Sequence, residues 1–142
     1  MKNKAIITKE FRWEMGHRLP FHNGLCKNLH GHSYRMIVSL EGELDLNGFL
    51  LDYFELKQIV QPLVDTLDHA FMCSSDDATV LHFLEEHDMK KLIVDFNTTA
   101  ENISLWFAES IKDEIKSYKN IDAIDVTIFE TSTASATRRI EL

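Results

Sequence analysis

The chain has 142 residues with 44% hydrophobic and 27% charged side chains, and Gly and Pro are scarce at five and two residues. This length and composition exclude disordered, collagen-like and linker-dominated proteins and predict a single domain over residues 1–142 with a core of its own. The formal net charge of -8 at pH 7 argues against nucleic acids and anionic membranes as partners.

The amino-terminal half of the chain predicts two strands and a helix. Residues 7–15 alternate apolar and polar side chains, as a half-buried strand does, and the alternation returns over residues 34–40 after a turn-rich stretch. Asp52 and Glu55 form a pattern typical of a helix start, and apolar residues at helical spacing carry that helix to Leu67.

The carboxyl-terminal half predicts further helices and strands. We expect a short helix over residues 80–84 and a brief strand or extended connector over residues 92–96. A long amphipathic helix follows over residues 98–118, started by a second capping pattern, and alternation over residues 124–130 and 138–142 predicts the last two strands. The order of two strands, helices and two strands indicates an α+β fold with the helices on one face of the sheet.

Four of the seven histidines fall close together after the first strand and form the most unusual feature of the sequence. His30-Gly31-His32 places two imidazoles on the same side of a strand, although an isolated pair of this kind is more often two polar residues at a strand entrance. His17 follows the first strand, so an antiparallel pairing of the two strands would bring a third imidazole to the pair. Three imidazoles with one open position are typical of catalytic zinc, whereas structural zinc has four protein ligands.

The two cysteines, Cys26 and Cys73, are too few for a secreted disulfide scaffold and fit a reducing compartment. Cys26 lies in the loop before His30, where it could be a fourth zinc ligand or a nearby thiol that acts as a base, and the spacing leaves both roles open. No apolar run approaches the ~20 residues of a membrane helix, and the first residues do not resemble a signal segment, so we expect a cytoplasmic protein.

Acid and base groups recur at three further places. Asp68-His69 follows the first helix and could relay a proton, although a histidine that stabilises the helix dipole is the simpler interpretation. Glu130 ends a strand on the side of its buried residues, where a planar ligand with a guanidine-like edge could donate two parallel N–H groups; a solvated strand end explains the pattern equally well. Thr99 and Glu101 are explained by a helix cap without any function.

These motifs together resemble the 6-pyruvoyl-tetrahydropterin synthase and 6-carboxytetrahydropterin synthase family over almost the whole chain. The matching segments are His17-Arg18-Leu19, Cys26-Lys27-Asn28-Leu29-His30-Gly31-His32, Gly48-Phe49-Leu50-Leu51-Asp52-Tyr53, Leu67-Asp68-His69, Thr99-Ala100-Glu101-Asn102 and Glu130-Thr131. The spacing of the cysteine from the two histidines resembles the carboxytetrahydropterin branch, which feeds 7-deazaguanine and queuosine synthesis.

The resemblance implies a tunnelling fold with a four-stranded antiparallel sheet and helices packed on one face, assembled as a homohexamer of two trimers. It also implies a zinc-dependent carbon-carbon lyase that converts 7,8-dihydroneopterin triphosphate to 6-carboxytetrahydropterin with release of acetaldehyde and triphosphate. The residue roles that it implies are zinc binding by His17, His30 and His32, acid-base chemistry by Cys26, proton transfer by Asp68 and His69, pterin anchoring by Glu130, and support of the ligand pocket by Thr99 and Glu101.

Some positions depart from the family pattern. Met15-Gly16 replaces the small residues usual before the first histidine, Thr98 stands where proline is common, and the segment 74–96 is longer than in compact members. The substrate preference therefore stays open between the carboxy product and the pyruvoyl product, which forms by elimination of triphosphate. A triphosphate also needs basic partners, and those closest in sequence to the histidines are Arg18, Lys27 and Arg35.

Two other classes of protein share part of this pattern. A non-catalytic protein could close a structural zinc site with Cys26 and the three histidines, in which case chelation of the metal would unfold it. The first motif of a cupin-like barrel begins with a glycine followed by two histidines, as Gly24, His30 and His32 do here. Its pattern, however, needs a carboxylate four or five residues after the second histidine, where this chain has Met36 and Ile37.

Overall fold

The computed structural model describes residues 3–142. Its helices and strands are, in chain order, β1 (Lys4–His17), β2 (His30–Glu43), α1 (Tyr53–Leu67), β3 (Ala70–Ser74), α2 (Ala78–Glu86), β4 (Lys91–Val94), α3 (Ala100–Ile115), β5 (Ile121–Thr131) and β6 (Ala134–Glu141). A short 3-10 turn at Leu25–Lys27 lies in the loop between β1 and β2. Among the helices of the described residues, none has both the length and the apolar character to cross a membrane.

The sheet has six strands in the order β4-β3-β1-β2-β5-β6. β1, β2, β5 and β6 pair antiparallel, whereas β3 runs parallel to both of its neighbours, β1 and β4. The expectation of a four-stranded antiparallel sheet is therefore wrong, because β3 and β4 extend that sheet with parallel pairing. The sequence of β3 shows no alternation, since its apolar residues face both sides of the sheet, and periodicity could not reveal it as a strand.

The helices divide between the two faces of the sheet. The buried stripes of α1 and α3 form the main core with β1, β2 and β5. In α2, Val80 and Leu84 instead form a smaller cluster with Cys73. Because side chains alternate along a strand and Met72 belongs to the main core, Cys73 and α2 lie on the opposite face of β3. The expectation that the helices pack on one face is therefore wrong for α2.

The predicted helix starts are largely confirmed. Asp52 caps α1 with a side-chain oxygen that accepts a backbone N–H at 2.8 Å. The cap of α3 is Thr99 rather than the predicted Thr98, and its hydroxyl accepts a backbone N–H at 3.2 Å. β2 and β6 begin earlier than alternation alone indicated. The one-residue shift at α3 matters because it leaves Thr98 available for a different partner.

Candidate functional site

The pairing of β1 with β2 brings three histidines together. His17 lies directly across from His30, and His32 lies two residues further along the same face of β2. The ring centroids are 4.6 Å apart for His17 and His30, 5.2 Å for His17 and His32, and 5.0 Å for His30 and His32. The ligand nitrogens of the three rings all lie within 4.8 Å of one another, so this group could hold a metal ion.

Backbone carbonyls orient two of the three rings. Nδ1 of His17 donates to the Thr98 carbonyl oxygen at 2.8 Å, and Nδ1 of His30 donates to the Asn28 carbonyl oxygen at 2.7 Å. A carbonyl oxygen only accepts, so each of these rings carries its proton on Nδ1 and keeps a lone pair on Nε2. Outer partners of this kind hold metal-binding imidazoles in the required tautomer.

The Nε2 atoms of all three histidines are buried and have no hydrogen-bond partner within residues 3–142. Each unsatisfied buried acceptor costs about 1–3 kcal/mol, so three of them at one place are unfavourable for the protein alone. A divalent ion that prefers imidazole nitrogen would satisfy all three together. The residues present therefore fit a metal ion of the zinc type.

Burial also sets the charge of this group. Desolvation lowers the pKa of His17 to about 4, with smaller contributions from the neighbouring His30 and His32. Desolvation likewise lowers the pKa of His32, and His30 adds to the effect. These two rings are therefore neutral at pH 7, and the neutral imidazole is the form that binds a metal.

Glu130 lies beside the histidines. Its Oε2 is 3.7 Å from Nε2 of His32, and the register between β5 and β6 shifts at this residue, which leaves it outside the strand pairing. Burial raises the pKa of the Glu130 carboxyl, and the charge of Glu101 acts in the same direction. A carboxylate in such surroundings needs N–H donors, and a planar ligand with two parallel N–H groups would supply them.

A cavity of about 390 Å³ adjoins Glu130, and this volume lies within the range of small-molecule sites. All three residues predicted to bind substrate line it, namely Thr99, Glu101 and Glu130. Its walls come from the loop after β1, the start of α3, and β6. The structure therefore places these three side chains around one space, next to the histidines.

Cys26 lies on the 3-10 turn between β1 and β2, where it is half-buried and in the free thiol form. Its carbonyl oxygen accepts a hydrogen bond from the backbone N–H of Leu19 at 2.8 Å. Within residues 3–142, the grouped ligand atoms belong to the three imidazoles and do not include the Cys26 sulfur. This geometry lacks the four protein ligands that a closed structural zinc site needs.

The side chains of Asp68 and His69 face each other, although adjacent side chains in regular structure point apart. His69 has a left-handed backbone with φ of 61°, and its Nδ1 lies 3.0 Å from Oδ1 of Asp68. The same carboxylate oxygen accepts the Glu14 backbone N–H at 3.0 Å, which is the main cause of the lowered pKa of Asp68, with His69 contributing.

The Asp68–His69 pair lies at a different cavity from Glu130. The largely exposed ring of His69 lines a space of about 330 Å³ together with Gly31 and His32. In the described part of the chain, the linings of this space and of the Glu130 cavity have no residue in common. His32 lines this space and also a cavity of about 430 Å³ that Glu130 lines as well, so it lies between the two groups.

Comparison with known proteins decides the family. A family model described as 6-pyruvoyl tetrahydropterin synthase matches residues 6–141. The chain belongs to this family. A relative from Haemophilus influenzae, named 6-carboxy-5,6,7,8-tetrahydropterin synthase, is 33% identical over 136 residues and covers 90% of this chain and 94% of its own. A relative of the same name from Aquifex aeolicus is 27% identical over 156 positions, covering 94% of this chain and 96% of its own.

The fold is also that of this synthase family. A solved structure of 6-pyruvoyl tetrahydropterin synthase from Plasmodium vivax superposes with a TM-score of 0.80 at 18% identity, covering 99% of each chain. The family resemblance drawn from the sequence motifs, and the prediction of an enzyme of this type, are confirmed by these matches.

Sequence reasoning missed residues that support the site of this family member. Thr98 bonds to His17 from 81 positions away, and its hydroxyl lies 3.1 Å from the same Nδ1. The ring centroid of Tyr34 lies 5.3 Å from that of Trp13, in a stacked arrangement, and 5.4 Å from that of His32, edge-on. Tyr34 therefore packs between the core and the histidine rings. Thr98 is explained as a helix cap by the sequence alone, and Tyr34 as a core residue, so neither carried a distinguishing signal.

Of the three basic residues closest in sequence to the histidines, Arg18 and Arg35 already have acidic partners. Arg18 makes two hydrogen bonds of 2.7 Å to the two carboxylate oxygens of Asp77. Arg35 donates to Glu10 at 3.2 Å, and its guanidinium lies 3.8 Å from the ring centroid of Phe129. A triphosphate would have to compete with these carboxylates for either guanidinium.

Proposed function

We propose that the chain is a zinc-dependent carbon-carbon lyase that converts 7,8-dihydroneopterin triphosphate to 6-carboxytetrahydropterin and releases acetaldehyde and triphosphate. The observation that carries this proposal is the group of three buried imidazole nitrogens, unpartnered within the described residues, beside the cavity that Glu130 lines. The names of the relatives support the carboxy product. In this proposal the enzyme is cytoplasmic and serves 7-deazaguanine and queuosine synthesis.

His17, His30 and His32 would hold the zinc ion through Nε2. Zinc bound there supplies a Lewis acid that acidifies hydroxyl groups of the substrate side chain. The carbonyl oxygens of Thr98 and Asn28 keep the Nδ1 protons of His17 and His30 in place, so these rings present their lone pairs without reorientation. The thiol of Cys26 stays outside this group, which leaves a position for substrate oxygen.

Glu130 would anchor the pterin ring. A pterin presents a guanidine-like edge whose two N–H groups match the two oxygens of a carboxylate. Because the Glu130 carboxyl is half-buried, these hydrogen bonds would replace the part of its hydration that burial removes. Thr99 holds the start of α3 as its cap, and Glu101 follows in the first helical turn, so both support the wall of this cavity.

Protons would move through Cys26 and the Asp68–His69 pair. The Cys26 thiol would exchange a proton with the substrate side chain. Nδ1 of His69 lies 3.0 Å from Oδ1 of Asp68, and the pair would relay a proton between the substrate and the solvent that the exposed ring faces. The carboxylate of Asp68 is itself held by the Glu14 backbone N–H, which keeps the pair in one orientation.

The test is to incubate the zinc-loaded protein with 7,8-dihydroneopterin triphosphate and to identify the products by mass spectrometry. We expect 6-carboxytetrahydropterin, with acetaldehyde detected in equal amount by a coupled alcohol dehydrogenase assay. Absence of turnover by folded protein with stoichiometric zinc would overturn the proposal.

The second candidate is the pyruvoyl product, which the description of the matching family model favours. Its formation removes triphosphate but keeps all carbon atoms of the side chain. The same assay separates the two candidates, since a pyruvoyl product without acetaldehyde would assign the chain to that branch.

We also propose a homohexameric assembly for this enzyme. Among residues 3–142, β4 and β6 are the outer strands of the sheet, and one side of each has no strand partner there. Uncovered edges of this kind are usually paired or shielded in stable proteins.

A further inference from the structure

The loop that carries Cys26 has little apolar anchoring. None of residues 18–29, all of which the structure describes, is buried. Phe21, Leu25 and Leu29 are 58%, 84% and 62% exposed, so the apolar side chains of this loop contribute little to its placement. Polar contacts must therefore decide where the Cys26 turn lies.

The strongest polar contact at this loop is between Arg18 and Asp77. Arg18 follows His17, and its Nε and Nη2 donate to the two oxygens of Asp77, each at 2.7 Å. Asp77 is only 8% exposed, so this charge-assisted pair is shielded from water on the carboxylate side. Two parallel bonds of this kind fix the direction of the guanidinium as well as its position.

Asp77 in turn belongs to a fixed part of the sheet. It lies at the start of α2, where its backbone N–H donates to the Ser74 carbonyl at 3.0 Å and its own carbonyl accepts from Leu81 at 2.9 Å. Ser74 ends β3, which pairs with both β1 and β4. The carboxylate therefore offers Arg18 an anchor that is connected to the sheet.

Arg18 transmits this anchoring to Cys26 by two contacts. The next residue, Leu19, donates its backbone N–H to the Cys26 carbonyl at 2.8 Å. Nη1 of Arg18 also approaches the carbonyl oxygen of Lys27, adjacent to Cys26, at 3.4 Å. One guanidinium is thus bound on one side to α2 and on the other side to the turn that holds the thiol.

We propose that Arg18 and Asp77 are positioning residues that hold the Cys26 turn beside the histidine group. Asp77 lies near the start of the long segment 74–96, so this proposal gives that part of the segment the role of anchoring Arg18. Arg18 would then be a structural partner of Cys26 rather than a ligand of the triphosphate. The expected effect on turnover rests on the function proposed above, whereas the expected effect on the placement of the turn does not.

Asp77→Asn is the variant that tests this proposal. The Asp77 side chain makes no cap hydrogen bond to α2, so this change removes the charge that holds Arg18 and takes no cap from the helix. The matched control is Asp125→Asn, which removes the same charge from another ion pair. Asp125 on β5 lies 2.7 Å from the guanidinium of Arg139 on β6. Both variants are compared as zinc-loaded full-length protein.

The first measurement is the rate at which iodoacetamide alkylates Cys26, followed by mass spectrometry of its peptide. Cys73 is 1% exposed and packs against α2, so its alkylation reports both global unfolding and opening of α2. We expect Cys26 alone to react severalfold faster in Asp77→Asn, because the turn opens more often. Equal rates in Asp77→Asn and Asp125→Asn would overturn the proposal.

The second measurement separates positioning from general destabilisation. We expect kcat to fall by about tenfold in Asp77→Asn, the equivalent of one charge-assisted hydrogen bond, with KM and zinc content unchanged. A loss of zinc or a rise of KM alone would contradict the assigned role. Arg18→Lys keeps a charge but cannot form both bonds, so it should show the same changes and decides the question if Asp77→Asn does not fold. If the wild-type protein turns over no pterin, the proposed function fails while the alkylation rates still test the contact.

Discussion

Single residues of the site owe their properties to neighbours that are distant in sequence. Burial against α3 and the other imidazoles makes His17 neutral, and Thr98 sets its tautomer from 81 positions away. Glu130 is held near His32 by a register shift in β5, and its raised pKa follows from burial. The chemistry proposed for these residues therefore depends on where the backbone places them, and substitutions that keep the backbone are the most informative.

Cys26→Ala should lower turnover by about 10³-fold, because it removes the group proposed to exchange a proton with the substrate. Zinc content should stay stoichiometric, since the sulfur lies outside the histidine group. Steady-state kinetics and metal analysis by mass spectrometry test both statements. Cys73→Ala, which removes the other thiol, is the control and should keep most activity. Loss of zinc from Cys26→Ala would make Cys26 a ligand instead.

Glu130→Gln should raise the dissociation constant for a pterin by about tenfold to a hundredfold, because a neutral amide cannot accept two charge-assisted N–H bonds. Fluorescence titration with a pterin that lacks the phosphates would isolate this contact from those of the triphosphate. Glu109→Gln, on the exposed face of α3, makes the same change and should bind as the wild type does. Unchanged pterin affinity of Glu130→Gln would remove this residue from the anchoring role.

At the level of elements, the β1–β2 pair builds the metal centre and α1 and α3 keep it in place. The register that sets His17 opposite His30 continues along both strands, so the histidine spacing is part of a long antiparallel ladder. At Gly31 the two strands leave little room for a side chain, since an added Cβ would lie 3.0 Å from the Met15 carbonyl oxygen. The close approach is with the backbone, which cannot move aside as a flexible side chain can.

Gly31→Ala should therefore destabilise the protein by about 1–3 kcal/mol and weaken metal binding, because the strands must separate between the histidines. Urea unfolding and zinc titration with a competing chelator measure the two effects. Ser39→Ala, on the same face of β2 but away from the histidines, is the control for a small residue in this strand. Wild-type zinc affinity in Gly31→Ala would show that strand spacing does not control the site.

For the whole molecule, the core does not depend on the metal. The main cluster draws on α1, α3 and strands across the sheet, and many of its side chains are fully buried. A chain of this size buries enough apolar surface to fold without a metal. The histidine group lies at one end of this core, so a bound ion adds stability to a structure that already exists.

Chelation of the metal should lower the melting temperature by about 10 °C without unfolding the protein at room temperature. Differential scanning calorimetry with and without a chelator, together with circular dichroism, checks this. One cooperative transition in both conditions would also support a single domain over residues 1–142. Complete unfolding on chelation would favour the closed structural zinc site instead.

Light scattering coupled to size-exclusion chromatography should give the mass of a homohexamer at micromolar concentration. The physical reason is the two outer strands, β4 and β6, whose edges have no strand partner within the described residues and which association would cover. The chelated protein provides the comparison that tells whether assembly needs the metal. A monomer in both forms would contradict the proposed assembly.

The sequence by itself determined what depends on short-range pattern. Alternation predicted β1, β2 and β5, helical spacing predicted α1 and α3, and the single residue between His30 and His32 already implied a shared face. The family followed from ordered motifs. These features can be predicted from the sequence because periodicity and spacing are local properties of the chain.

Only the tertiary structure decided the features that depend on contacts between distant segments. β3 is apolar on both faces because α2 covers the side that the main core does not, so its sequence carries no strand signal. Thr98 and Asp77 look like ordinary helix-start residues, and their bonds to His17 and Arg18 arise because the fold brings the segments before α3 and α2 to the end of β1. Side-chain type states which bonds a residue can form, and the fold selects its partner.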